Sequence, residues 1–169
     1  VAPDIMAIAK GLTGGYLPLA ATLFTEKIYN NFKGRFEDFK TFYHGHTYTG
    51  NPLACAAALG SLEVFRKEKT LEKLQPKILL LSQLLQQFKA ISAVKDIRQC
   101  GFIAALELGD FAETEQIGAR VCRAARRQGL IIRPLGNNLV IMPPLAIQPR
   151  QLKKMLKIIY TAILEVLAE

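Results

Sequence analysis

The sequence predicts an α/β chain in two parts, and three observations carry that expectation. Short apolar runs such as DIMAIAK at 4–10 and LIIRPL at 130–135 sit beside glycine or proline and alternate with longer stretches of helical periodicity. Half of the 169 residues are hydrophobic, enough for a genuine core. The character also changes near residue 70, which divides the chain into 1–69, the tail end of a larger α/β domain, and 70–169, a small α+β domain.

In chain order, residues 4–10 form a short strand that runs into the loop GLTGGY, and LAATLF at 19–24 forms a second. TEKIYNNFKGRFEDFK follows as helix and loop, and TFYHGHTYTG as a loop rich in hydroxyls and imidazoles. Asn51 then suits an N-cap and Pro52 the first helical position, so a helix runs through LACAAALGSLEVFRKE. Residues 70–91 predict a long helix with Pro76 in its early part. VKDIRQCGFIAALEL gives two strands around a glycine break, the second with clear alternation. ETEQIGARVCRAARRQG is helical, with small or apolar residues at 117, 121, 124 and 125 and a C-terminal cap at Gly129. LIIRPL and LVIMPP flank the turn GNN as strands. A last helix starts near Pro149, with apolar positions 152, 155, 159, 163 and 166.

Composition excludes several function classes. The 22 Lys and Arg against 14 Asp and Glu give a net charge of +8, but the basic residues lie in segments such as RVCRAARR and RQLKKMLK. There they alternate with apolar residues at helical spacing, as on solvated helix faces, and no nucleic-acid signature accompanies them. A basic nucleic-acid or scaffold domain would require steeply salt-dependent binding. Cys55, Cys100 and Cys122 are widely spaced beside apolar residues and are expected to be buried thiols. His44 and His46 are too few to hold a metal, so none is expected. The chain opens at Val1 in what reads as the middle of an element, which suggests a fragment or processed chain. No signal or membrane-spanning pattern is seen, and a cytoplasmic setting is expected.

Three features bear on chemistry. Lys10 closes an apolar strand before glycines, the reverse of the lysine-after-glycines order of a Walker A loop. Apolar surroundings favour a neutral, nucleophilic amine that bonds to aldehydes, although on position alone a lysine that snorkels to the surface is the commoner case. In YHGHTYTGNP, hydroxyls, two glycines and a helix N-terminus suit either a phosphate site or an ordinary connecting loop. Arg133, at the end of LIIR, either pairs with an acidic neighbour or forks onto a ligand carboxylate.

Taken together, PDIMAIAKGLTGGYLPLAATL, FYHGHTYTGNPLACAAALGSLEVF and GLIIRPLGNNLVIMPPLAI resemble the C-terminal half of class III aminotransferases of the type I pyridoxal phosphate (PLP) fold. The resemblance covers essentially all 169 residues. It implies that Lys10 anchors PLP covalently and acts as general acid and base, and that His46 and Thr47 meet the cofactor phosphate. Gly45 and Arg133 match substrate-contact positions, with Arg133 receiving a carboxylate. His46 stands where some members have proline. The loop HGHTYTGNP resembles the biotin-pathway branch, which converts 8-amino-7-oxononanoate to 7,8-diaminononanoate with S-adenosylmethionine as amino donor, rather than the ornithine or 4-aminobutyrate branches. A homodimer with shared active sites follows from the same resemblance. The alternatives are another class III aminotransferase, using lysine, ornithine or 4-aminobutyrate, or a non-catalytic phosphate-ligand module in which Lys10 is only electrostatic. The family's ring-nitrogen aspartate should lie dozens of residues before the lysine, where only Asp4 precedes Lys10, so this chain alone is expected to be inactive.

Overall fold

The computed structural model describes residues 1–169. Their contacts divide them into Val1–Thr70 and Leu71–Glu169, each with its own architecture.

The first unit is built on a two-stranded antiparallel ribbon. Strand β1 (Ile5–Ile8) pairs with β2 (Ala21–Phe24), Ile5 opposite Phe24 and Ile8 opposite Ala21. The connection opens with a 3-10 turn over Lys10–Thr13. Thr13 is buried, and its Oγ1 donates to the Leu17 carbonyl at 2.5 Å, tying the glycine-rich segment down. The helix expected after β2 is a single turn, α1 (Glu26–Tyr29), followed by 3-10 turns at Asn30–Phe32 and Phe36–Asp38. Asn31 helps end it, because its side-chain amide donates to the carbonyls of Lys27 and Ile28. Helix α2 (Pro52–Lys67) begins as the Asn-Pro pair predicts: Asn51 Oδ1 accepts from the Ala54 amide at 3.0 Å. Its buried alanines, Ala54 and Ala58, let it pack closely on the Lys10–Thr13 turn.

One expectation fails in this unit. The apolar run of β1 is not a buried strand: Ile5 is 58% and Met6 45% exposed. A two-stranded ribbon has two faces, and within this unit no second layer covers them.

The second unit is a four-stranded antiparallel sheet packed with helices. Helix α3 (Thr70–Leu85) contains Pro76, which has no amide to offer the Glu72 carbonyl. A 3-10 turn over Gln86–Ala90 replaces the last part of the helix expected to reach residue 91. Then come β3 (Val94–Cys100), β4 (Ile103–Leu108), α4 (Ile117–Arg127), β5 (Arg133–Leu135), β6 (Asn138–Ile141) and α5 (Pro149–Leu167). The sheet order is β3-β4-β6-β5, so β3 and β5 are its borders, and the β3 register shifts between Val94 and Asp96.

Period-two alternation sets the core. Ala104, Leu106 and Leu108 of β4 and Leu139 and Ile141 of β6 are buried on one face, while Ala105, Glu107 and Val140 point to the other. Leu74, Leu81, Leu85 and Phe88 from the α3 segment, the small face of α4, and Leu152, Met155, Ile159, Ile163 and Val166 of α5 complete one cluster. Helix α4 starts at Ile117, later than the sequence suggests. Glu113–Glu115 form a 3-10 turn, and Gln116 sits at φ +49, a left-handed break no α-helix can continue through. Its end is the predicted one: Gly129 adopts φ +85, and the Leu130 amide returns to the Ala125 carbonyl at 3.0 Å. Strand β5 covers only Arg133–Leu135 rather than 130–135.

The three cysteines differ, which corrects the expectation that all are buried. Cys122 is buried on α4, Cys55 is half-buried, and Cys100 is exposed, because the β3 border turns it outward opposite Ile103. Burial pushes the Cys122 thiol above its ordinary range, and the opposing pull of Arg126 and Arg123 is weaker. A thiol-specific alkylating reagent at neutral pH should therefore modify Cys100 readily and Cys122 slowly. Peptide mass mapping of the native chain checks this, and equal labelling of the two would contradict it. No helix is long and apolar enough to cross a membrane.

Candidate active site

Lys10 stands where the extended chain of β1 turns. Ala9 is still extended (φ −160), whereas Lys10 adopts φ +52, a left-handed conformation unusual for a residue with a Cβ. The next turn closes through the Gly14 amide to the Gly11 carbonyl at 3.0 Å, with Gly14 and Gly15 also at positive φ. The segment thus leaves its strand abruptly and projects the lysine at the bend. Lys10 is exposed, so the desolvation expected from its apolar approach is not found within this chain. The ribbon that should supply it is itself uncovered.

Lys10 lines a cavity of about 1320 Å³ within the first unit, together with Gly11, Gly15, His46, Tyr48 and Asn51. No carboxylate lines it. A Cβ added at Gly11 or Gly15 would meet nothing within 4 Å, so the glycines leave open room beside the amine. Two of the residues singled out in the sequence, Lys10 and His46, therefore share one cavity. Tyr48 and Asn51 also line it. Asn51 drew attention only as a cap, and its local sequence holds no signal for a second role.

The 44–50 loop is organised by its own polar groups. The His46 amide donates to Thr49 Oγ1 at 3.0 Å, and the Tyr48 amide donates to His46 Nδ1 at 3.2 Å. A nitrogen that accepts carries no proton, so the neutral imidazole has its hydrogen on Nε2, where it can be donated to an anion. Thr49 is thus committed to the loop, whereas Thr47 is exposed and its hydroxyl has no partner. Gly45 is exposed in the same loop, and neither Gly45 nor Thr47 is among the residues lining the Lys10 cavity.

Arg133 belongs to the second unit, at the first position of β5. The register sets Arg98, Ala105, Val140 and Arg133 in one row across all four strands, so two arginines occupy the same outer row. Their electrostatics differ. Arg98 Nη1 contacts Asp96 and Glu107 carboxylates, each at 2.6 Å, and Nη2 donates to Asn138 Oδ1 at 2.5 Å; Glu107 first, and then Asp96, hold its guanidinium above its ordinary range. The exposed Arg133 side chain makes no ion pair or hydrogen bond, although its backbone belongs to the β5–β6 ladder. Of the two readings the sequence left open, pairing with an acidic neighbour is absent. Arg133 instead lines a cleft of about 880 Å³ with apolar walls from Ile131, Met142 and Ile158, joined by Arg126 and Lys154. Those two cations escaped the sequence reading because each sits in a run of basic helix-face residues.

Residues 1–163 match the family model described as aminotransferase class III. The chain is 51% identical, over 98% of its length, to the adenosylmethionine-8-amino-7-oxononanoate aminotransferase of Nitratidesulfovibrio vulgaris, of which it covers 32%. It is 49% identical, again over 98% of its length, to the Aquifex aeolicus protein of the same name, covering 38% of it. The chain thus spans about a third of the length of these curated relatives. Among solved structures, the Methanocaldococcus jannaschii adenosylmethionine-8-amino-7-oxononanoate aminotransferase superposes with a TM-score of 0.92 at 44% identity, over 97% of this chain and 39% of that one. The PMP-bound form of a Vibrio fluvialis aminotransferase gives a TM-score of 0.94 at 27% identity, over 100% and 39%.

Proposed function

The chain belongs to the class III aminotransferases, and from that premise we propose that the whole protein transfers an amino group to 8-amino-7-oxononanoate, giving 7,8-diaminononanoate, with pyridoxal phosphate as cofactor. The observation that carries this is Lys10, held at a left-handed bend beside open glycines in the cavity it shares with His46. Support for the substrate comes from relatives about half identical to the chain that bear the corresponding name. S-adenosylmethionine is the amino donor on the same grounds, and lysine is the donor that a test has to set against it. The working form is a homodimer with shared active sites, in the cytoplasm. The exposed Thr47 hydroxyl, with no partner in its own loop, suits a loop that serves a neighbouring subunit.

The residues present fit part of this cofactor. An amine, an imidazole Nε2–H and glycines that leave room beside them match an aldehyde-bearing, phosphorylated ring. The carboxylate that would face a protonated ring nitrogen is not among the residues lining the cavity. When bound, PLP supplies the electrophilic carbonyl and the electron-withdrawing ring. Lys10 Nζ would hold it and, as a free amine, would take a proton from the amine-bearing carbon of the donor and deliver one to the former carbonyl carbon of the acceptor. His46 Nε2 and Thr47 Oγ1 bind the phosphate. Gly45 gives the substrate room, and Arg133, free of carboxylate partners, forks onto the substrate's carboxylate and orients its chain.

Separate incubations of the whole protein with 8-amino-7-oxononanoate, PLP and S-adenosylmethionine, lysine, ornithine or 4-aminobutyrate test the reading. Diaminononanoate should form with the first donor, and the isolated 169-residue chain should form none. Product only from ornithine or 4-aminobutyrate would move the protein to another branch of the family.

A further inference from the structure

The identity of Arg133 does not explain why it stands where it does, since its strand is three residues long and lies at a sheet border. A side chain at the edge of so short a strand inherits its position from whatever fixes the adjoining turn. That turn, joining β5 to β6, contains Gly136 at φ +56 and Asn137.

Two contacts hold the turn from different elements. On one side is Gly118, buried in the first turn of α4. A Cβ built at Gly118 would lie 2.3 Å from the Gly136 carbonyl oxygen and 3.0 Å from Pro134 Cβ, the side chain next to Arg133. The first of these obstacles is backbone, which no rotamer change can move aside. On the other side, the Asn137 side-chain amide donates to the Phe111 carbonyl at 3.0 Å, and the Asn137 carbonyl accepts from the Leu108 amide at 2.9 Å. The helix backbone presses on the turn while Asn137 anchors it to the segment after β4.

We propose that Gly118 and Asn137 are positioning residues for Arg133: the close approach of α4 and the Asn137 anchor fix the β5–β6 turn, and so the place at which the guanidinium meets a substrate carboxylate. The inference rests on the reading of Arg133 given under the proposed function. A shift of about an ångström in a binding group that lies away from the chemistry can cost up to about a hundredfold in rate, so a methyl group at Gly118 should be felt at the carboxylate.

The test is carried out in the whole aminotransferase with the keto acid substrate and its uncharged methyl ester, and it reads the acid-to-ester ratio of kcat/KM. A merely structural role would lower both substrates together and leave the ratio alone. Gly118→Ala should lower the ratio about tenfold, a loss of about 1.4 kcal/mol of carboxylate recognition, mainly through KM for the acid. Asn137→Ala, which removes the anchor without a steric clash, should lower it in the same direction and decides the matter if Gly118→Ala does not fold. Arg133→Ala separates the two levels of inference. A ratio unchanged in Arg133→Ala overturns the carboxylate role and the positioning role with it. A ratio that collapses in Arg133→Ala but stays at its original value in Asn137→Ala, and in Gly118→Ala where that variant folds, overturns the positioning role alone.

Discussion

Replacing Lys10 by alanine in the whole aminotransferase should abolish the borohydride-dependent attachment of PLP and reduce transamination by at least about 10³-fold. The amine is asked to do two things, to hold the cofactor and to carry a proton, and no other lysine lines the cavity. Mass mapping of the reduced protein reads the first function and steady-state turnover the second. Retention of the reduced adduct on the Lys10→Ala protein would sink the assignment. A second variant separates chemistry from folding. Lys10 adopts φ +52, where a Cβ crowds the following carbonyl, so Lys10→Gly should be about 1 kcal/mol more stable than Lys10→Ala although both lack the amine. Equal stability of the two would mean that the bend is not strained.

Phe88→Ala should destabilise the second unit by about 3–5 kcal/mol, the range for truncating a large buried aromatic. Phe88 is fully buried, its ring 5.7 Å from that of Tyr160 on α5. It lies in the 3-10 turn that replaces the end of the expected long helix, so it joins α3 to α5 through one side chain. Removing it leaves a cavity that neither helix can close without shifting. Urea denaturation followed by far-UV circular dichroism measures the loss, and a change below about 1 kcal/mol would show that the site collapses freely.

How much of this was legible in the sequence depends on the range of the interaction concerned. The start of α2 is written in two adjacent residues, Asn51 and Pro52, and the apolar face of α5 in a simple spacing; Leu152, Met155, Ile159, Ile163 and Val166 are all buried. Such features need only nearest neighbours along the chain. The exposure of Ile5 and Met6 was not legible, because an apolar run states a preference for cover and not whether cover is present. The left-handed Gln116 that delays α4 has no local marker either, since only the surrounding packing selects that conformation.

The candidate site divides in the same way. Lys10 at a strand end beside glycines could be read directly. The division of labour between two neighbouring threonines could not: Thr49 serves the loop and Thr47 is left over, a choice made by one hydrogen bond from the His46 amide to Thr49 Oγ1 and not by residue type. The two outer-row arginines differ for a similar reason. Arg98 meets carboxylates from its own strand and the next, whereas Arg133 meets none, and this follows from strand register alone. Gly118 looks in sequence like a weak point in a helix and is a close approach to a turn eighteen residues away.

The two borders of the sheet have a consequence for the chain's behaviour in company. A free sheet edge is a row of unpaired amides and carbonyls that another chain can extend, which is a common route to aggregation. Here β5 offers three residues with Pro134, which has no amide, in the middle. The opposite border, β3, is interrupted by its register shift and carries charged, exposed Lys95, Asp96 and Arg98. Neither edge presents an unbroken ladder to a passing strand. The short strand that blunts one edge, however, also leaves its arginine dependent on the turn for its place.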